Sequence, residues 1–151
     1  MRRTLVTVLA AAALVASAAA GAGAQEIFDF YGLTFGMVPE EAARHVPNLE
    51  GTVSHDPGHG MTDLELVFDR EDLLMEIRAS WPRPEDPFAY QGMLRALRER
   101  FVSPVSARFP TVAVTLDEFS NRAAIGLVFL ATDLREKNID YHKNRFLRLL
   151  K

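Results

Sequence analysis

Apolar and polar side chains alternate along Leu64-Glu65-Leu66-Val67 and again along residues 73–81, where Leu73, Met75, Ile77 and Ala79 interleave with Leu74, Glu76 and Arg78. A period of two sends successive side chains to opposite faces, so the two runs predict half-buried strands, paired antiparallel through a turn at residues 69–72. Residues 88–101 change to a helical period, with Met93, Leu94, Leu97 and Phe101 on one side and Arg95, Arg98, Glu99 and Arg100 on the other. Residues 111–116 and 123–131 return to strand-like runs, the second apolar enough to predict an interior strand, with Ser120 and Asn121 turning the chain between them. A last helix is expected after Thr132 and Asp133, its Ile139, His142, Phe146, Leu149 and Leu150 docking on the sheet.

Upstream of the first strand pair, Ile27-Phe28-Asp29-Phe30-Tyr31 reads as a short aromatic strand turned by Gly32 toward Leu33. In Phe35-Gly36-Met37-Val38-Pro39-Glu40-Glu41, Pro39 fits a first helical turn because its missing N–H costs nothing there, and Glu40 and Glu41 suit the positive end of the dipole. Pro47 ends that helix near Val46, which gives it an inner face of Val38, Ala42, Ala43 and Val46. Residues 51–54 read as a weak strand in a loop region. Helix, two strands, a Pro-rich linker at 82–87, helix, two strands and helix predict an α+β fold: an antiparallel sheet with helices on one face, built from two tandem helix-strand-strand units and a C-terminal helix.

The N-terminus predicts an address. Arg2 and Arg3 precede an apolar run too short to span a bilayer stably, and Ala22-Gly23-Ala24 offers a small-x-small cleavage site, so residues 1–24 read as a secretory signal. Residues 25–151 are then expected as one exported domain, periplasmic or secreted, with no transmembrane segment. The sequence of 151 residues has no cysteine, which removes both a lipid-bearing cysteine and any disulfide. Residues 25–151 carry 20 acidic and 15 basic side chains, an acidic balance that argues against nucleic-acid binding. Their charge is divided: 14 acidic against 4 basic in residues 25–86, and 6 against 11 in residues 87–151. Two such halves can pack on each other or present separate faces to a partner.

Chemistry-bearing side chains concentrate in residues 54–63. His55 and His59 with Asp56 and Asp63 have donor types that suit a divalent metal, although their spacing matches no metal signature and Pro57-Gly58 equally suits a structural turn. No serine lies in a nucleophile-elbow pattern, no glycine cluster has the spacing of a phosphate cradle, and nothing singles out a carboxylate pair, so no catalytic residue is assigned. Tyr31 and Trp81 are the candidates for contact with a partner, both set beside turns, with burial in the core as the simpler role for Trp81. A ligand held between helix 88–101 and the sheet is a third possibility.

The stretch Phe35-Gly36-Met37-x-Pro-Glu-Glu, followed by a short helix and a hairpin, resembles the helix start of SmpA/OmlA-type outer-membrane-assembly proteins and of similar folds of the β-lactamase-inhibitor type. Val38 stands where a capping serine or threonine is usual, and the missing cysteine excludes the lipoprotein form. The resemblance implies a non-catalytic protein that binds an envelope or secreted protein through its sheet surface, and it carries over no functional residue. The main expectation is therefore an exported binding protein without a cofactor; the alternative is a metal-binding protein or metal-dependent enzyme centred on the 54–63 loop. N-terminal sequencing of the chain recovered from an exporting cell is expected to begin at Gln25.

Overall fold

The computed structural model describes residues 26–118 and 123–151. The signal expected at 1–24 and the turn expected at Ser120 and Asn121 lie outside the described residues.

Six antiparallel strands form one sheet in the order β1-β2-β3-β4-β6-β5, where β1 is Leu49–Glu50, β2 Val53–Ser54, β3 Asp63–Phe68, β4 Leu74–Pro82, β5 Val112–Asp117 and β6 Ala124–Ala131. The hairpins β3–β4 and β5–β6 meet through their second strands, so β4 pairs with β6 over seven residues, from Glu76 opposite Leu130 to Pro82 opposite Ala124. The second hairpin follows a helical segment directly, whereas β1 and β2 stand between the first helix and β3, so the first of the two expected helix-strand-strand units carries two additional short strands. Helix α1 spans Pro39–Ala43, and α2, Pro87–Leu97, continues through a π-helical turn at Arg98–Val102 into α3, Ser103–Arg108. Helix α4 spans Thr132–Leu149.

One face of the sheet is the core. Leu64 and Leu66 of β3, Ile77, Ala79 and Trp81 of β4, and Ile125, Leu127 and Phe129 of β6 are buried there. Three aromatic residues cover its centre: Phe28, Phe30 and Phe101 place their ring centroids 4.9, 5.0 and 6.1 Å from that of Phe129. Leu94, Leu97 and Val105 complete the helical layer. The space between α2 and the sheet, the third candidate position for a ligand, is thus filled by side chains. A cleft of about 300 Å³ opens at the other end of the layer, between Phe28, Phe35 and Phe109 and the start of α4.

Several local outcomes differ from the sequence pattern for identifiable reasons. Residues 27–31 form no strand; the chain makes a two-residue turn in which Phe30 and Leu33 exchange backbone hydrogen bonds of 2.9 and 3.0 Å. Tyr31 and Gly32 both take positive φ, as a mirror-image tight turn requires, and the Asp29 carboxylate accepts from the Gly32 N–H at 2.8 Å. A register shift between Val67 and Phe68 pairs Phe68 with Leu74 and Val67 with Glu76, so Met75 is the extra residue and Leu74 joins Ile77 on the buried face. Strict alternation had put Leu74 with Glu76 and Arg78. In α1 only Ala42 is buried; Val46 is buried just beyond it, while Ala43 and Val38 point outward. The π-helical turn precedes Pro104, which has no N–H for the Arg100 carbonyl and whose ring would crowd it. The Asp86 carboxylate caps α2 by accepting from the Phe88 N–H at 2.8 Å.

The last helix departs furthest from expectation. It does not dock on the sheet: Ile139, Phe146, Leu147, Leu149 and Leu150 are all exposed. Ala131 is the last residue of β6 and Thr132 the first of α4, so no linker exists in which the chain could reverse onto the sheet. The Thr132 N–H and hydroxyl instead hold the Thr111 carbonyl at 2.9 and 3.0 Å.

Phe129→Ala is expected to lower unfolding stability by about 3–5 kcal/mol, because the ring is fully buried among three others. Phe146→Ala, at an exposed position, should stay within about 0.5 kcal/mol of the parent. Chemical denaturation of both variants checks the contrast.

Candidate functional site

The loop that holds the predicted metal ligands folds around its backbone. Pro57 is buried, Gly58 and Gly60 take positive φ, and so does His59 between them. The Asn48 amide donates to the Asp56 carbonyl at 2.9 Å, and the Ser54 hydroxyl donates to the Pro47 carbonyl at 2.5 Å. Of the four side chains, two meet and a third is held elsewhere. His55 Nδ1 lies 2.5 Å from Asp63 Oδ1, whereas the His59 ring stacks on Tyr31 with centroids 3.8 Å apart and planes 12° from parallel. Among the described residues no group of three or more His, Cys, Asp or Glu side chains is placed to hold a metal ion. His55, Asp56, His59 and Asp63 therefore do not converge on one coordination site.

The two candidates for partner contact also part company. Trp81 is buried, and its indole N–H donates to the His59 carbonyl at 3.3 Å, so it serves the core and the loop above it. Tyr31 is half-buried between Phe30 and His59.

What the fold does leave open is the second face of the sheet. The strand pairing aligns Val53 with Glu65, Glu65 with Arg78, Arg78 with Val128, and Val128 with Thr115 across five strands. The neighbouring row runs from Val67 through Glu76 and Leu130 to Ala113. Among the described residues no helix packs across this face: α1, α2 and α3 lie against the other one, and α4 borders it at Arg135. Two adjoining grooves result. One, of about 450 Å³, is lined by Val53, Asp63, Glu65, Arg78, Gly126 and Val128, with His55 at its edge. The other, of about 530 Å³, includes Glu76, Thr115, Leu130 and Arg135 and shares Asp117 and Val128 with the first.

The face is graded in polarity. Its β1–β3 side carries Glu50, Asp63 and Glu65, and its β6–β5 side offers Ala124, Val128, Leu130 and Ala113 around a floor kept low by Gly126, with Thr115 and Asp117 as the polar residues of β5. Arg78 stands between them, 3.0 Å from Glu76 and 3.7 Å from Glu65. The hydrogen bond that Arg78 donates to the Glu76 carboxylate, with the charges of both carboxylates, raises the Arg78 pKa further above its already high usual value. Since its head is half exposed, the cluster sets the charge pattern of the surface more than the stability of the fold.

The open surface of β6 was hidden in the sequence by its apolarity, which reads as burial on both sides. The signal that could have revealed it is size: Ile125, Leu127 and Phe129 are large and buried, whereas Ala124, Gly126 and Val128 between them are small and only half-buried.

Compared with protein-family models, curated proteins and solved structures, the chain matches none.

Arg78→Ala should bring Glu65 and Glu76 into uncompensated proximity. Its thermal midpoint is expected to fall at low ionic strength and recover as salt is added, with a total cost below about 1 kcal/mol; thermal melts across a salt series measure it.

Proposed function

We propose that this chain is an exported, non-catalytic binding protein that engages an envelope or secreted protein through the open face of its sheet. The observation that carries the reading is a continuous sheet surface that no helix among the described residues packs across, acidic on its β1–β3 side and richer in small and apolar side chains on its β6–β5 side. The signal-like residues 1–24 support the location, and the resemblance of residues 35–41 to the helix start of SmpA/OmlA-type proteins supports the mode of action.

The face also suggests the partner's chemistry. Val128 and Leu130 supply apolar contact, the small side chains of Ala113, Ala124 and Gly126 allow close approach, and Glu50, Asp63, Glu65 and Glu76 favour basic groups on the opposing surface. Such a pairing gains on-rate from charge and residence time from the apolar contact. None of the open-face residues is needed to close the core, so the surface can be changed without unfolding the protein.

The test is crosslinking and affinity capture of residues 25–151 from their own envelope fraction. A stoichiometric partner should be retained by the parent at low salt, weaken at high salt and be lost in Val128→Arg, which should keep the parent's thermal midpoint within a few degrees. Equal capture by the parent and by Val128→Arg would remove the open face from the binding event.

A further inference from the structure

Helix α4 presents a second surface, independent of the open sheet face. Leu134 and Asn138 line a crevice with Asp69, Arg70 and Leu73 at the tip of the β3–β4 hairpin, and the Arg70 guanidinium lies 3.7 Å from the centre of the Tyr141 ring. These contacts fix one side of the helix. Ile139, Phe146 and Leu150 project from another side, about 130° around the axis at 100° per residue. Phe146 is 59% exposed, Leu149 78% and Leu150 66%, so among the described residues the helix carries an exposed apolar stripe over its last three turns.

Charge selects what covers the stripe. Residues 141–151 contain Lys143, Arg145, Arg148 and Lys151 and no carboxylate. Lys143 and Arg145 border the stripe on its two sides, and the contact between Lys143 and Asp140, 3.8 Å and exposed, is too weak to hold the lysine in place. A second copy of the helix would complement the stripe in shape but not in charge. Laid antiparallel along it, the copy sets Lys143 and Arg145 against cations of their own kind; laid parallel, it opposes them with Asn138 and Leu150. An anionic bilayer complements both properties at once, taking up the apolar side chains while its headgroups meet the flanking cations.

The geometry points to α4 as an interfacial helix that lies on an anionic lipid surface with Ile139, Phe146, Leu149 and Leu150 inserted and Lys143 and Arg145 at headgroup level. The helix does not cross the membrane, since no helix among the described residues is long and apolar enough to do so. Its acidic residues, Asp133, Glu136 and Asp140, all belong to the half nearer the sheet.

Cosedimentation of residues 25–151, which include the whole buried core, with vesicles tests the assignment. Binding to phosphatidylcholine vesicles containing phosphatidylglycerol is expected to be at least about tenfold tighter than to phosphatidylcholine alone, given roughly a factor of five for each basic side chain at an anionic surface. The double variant Phe146→Glu/Leu150→Glu should lose that binding by at least about tenfold with unchanged circular dichroism and thermal midpoint, because both positions are exposed. Lys143→Glu/Arg145→Glu should abolish the preference for anionic vesicles. Absence of binding to the anionic vesicles, or undiminished binding by the Phe146/Leu150 variant, overturns the proposal. Lipid-free self-association that the same variant disrupts, with no vesicle binding, overturns it in favour of a second copy.

Discussion

The fold is organised by the need to cover Phe129. This residue sits in the strand that receives both β4 and β5, and its ring is met by Phe28 from the N-terminal segment, Phe30 from the tight turn and Phe101 from the π-helical turn. Two distant stretches of sequence, residues 28–30 and the turn that holds Phe101, are thus tied to a single side chain in a protein without disulfides. Each has its own device for reaching that position. The left-handed Tyr31-Gly32 pair brings Phe30 back to the sheet, and the wider turn before Pro104 places Phe101 over β6. The interior is an aromatic knot closed over an aliphatic sheet, which stabilises a modest domain through area and ring packing together.

The seam between β4 and β6 explains how two halves of opposite charge remain one body. The pairs that cross it on the buried side are Ile77 with Phe129, Ala79 with Leu127 and Trp81 with Ile125. The ion pairs of Arg78 with Glu65 and Glu76 and of Arg98 with Glu118 each join residues of the same half. Cohesion therefore comes from apolar burial and backbone pairing, which leaves the charge asymmetry at the surface. Glu50, Asp63, Glu65 and Glu76 of the open face belong to the first half, and the basic last turns of α4 to the second.

Much of this architecture was legible in the sequence because it rests on local patterns. Alternation marked β3 and β4, a helical period marked α2, and the apolar run at 123–131 marked an interior strand. What escaped depends on geometry that a period cannot express. The extra residue at Met75 reversed the facing of Leu74. The tight turn at Tyr31 and Gly32 replaced an expected strand. The loop at 54–63 looked like a ligand set because its residue types suit a metal, but the stacking of His59 on Tyr31 and the pairing of His55 with Asp63 are tertiary facts. Helix α4 had the periodicity of a docked helix, and only its direct continuation from β6 shows why it does not return to the sheet.

That junction also has a mechanical meaning. With 18 residues rising about 1.5 Å each, α4 is a rod of roughly 27 Å rooted in the strand that carries Phe129. A load applied at its far end acts through a moment arm with no hinge at its base, and the Thr132–Thr111 clamp passes part of it directly into the β5 edge. The helix and the sheet behave as beam and foundation: whatever holds the outer turns also fixes the direction in which the open face looks.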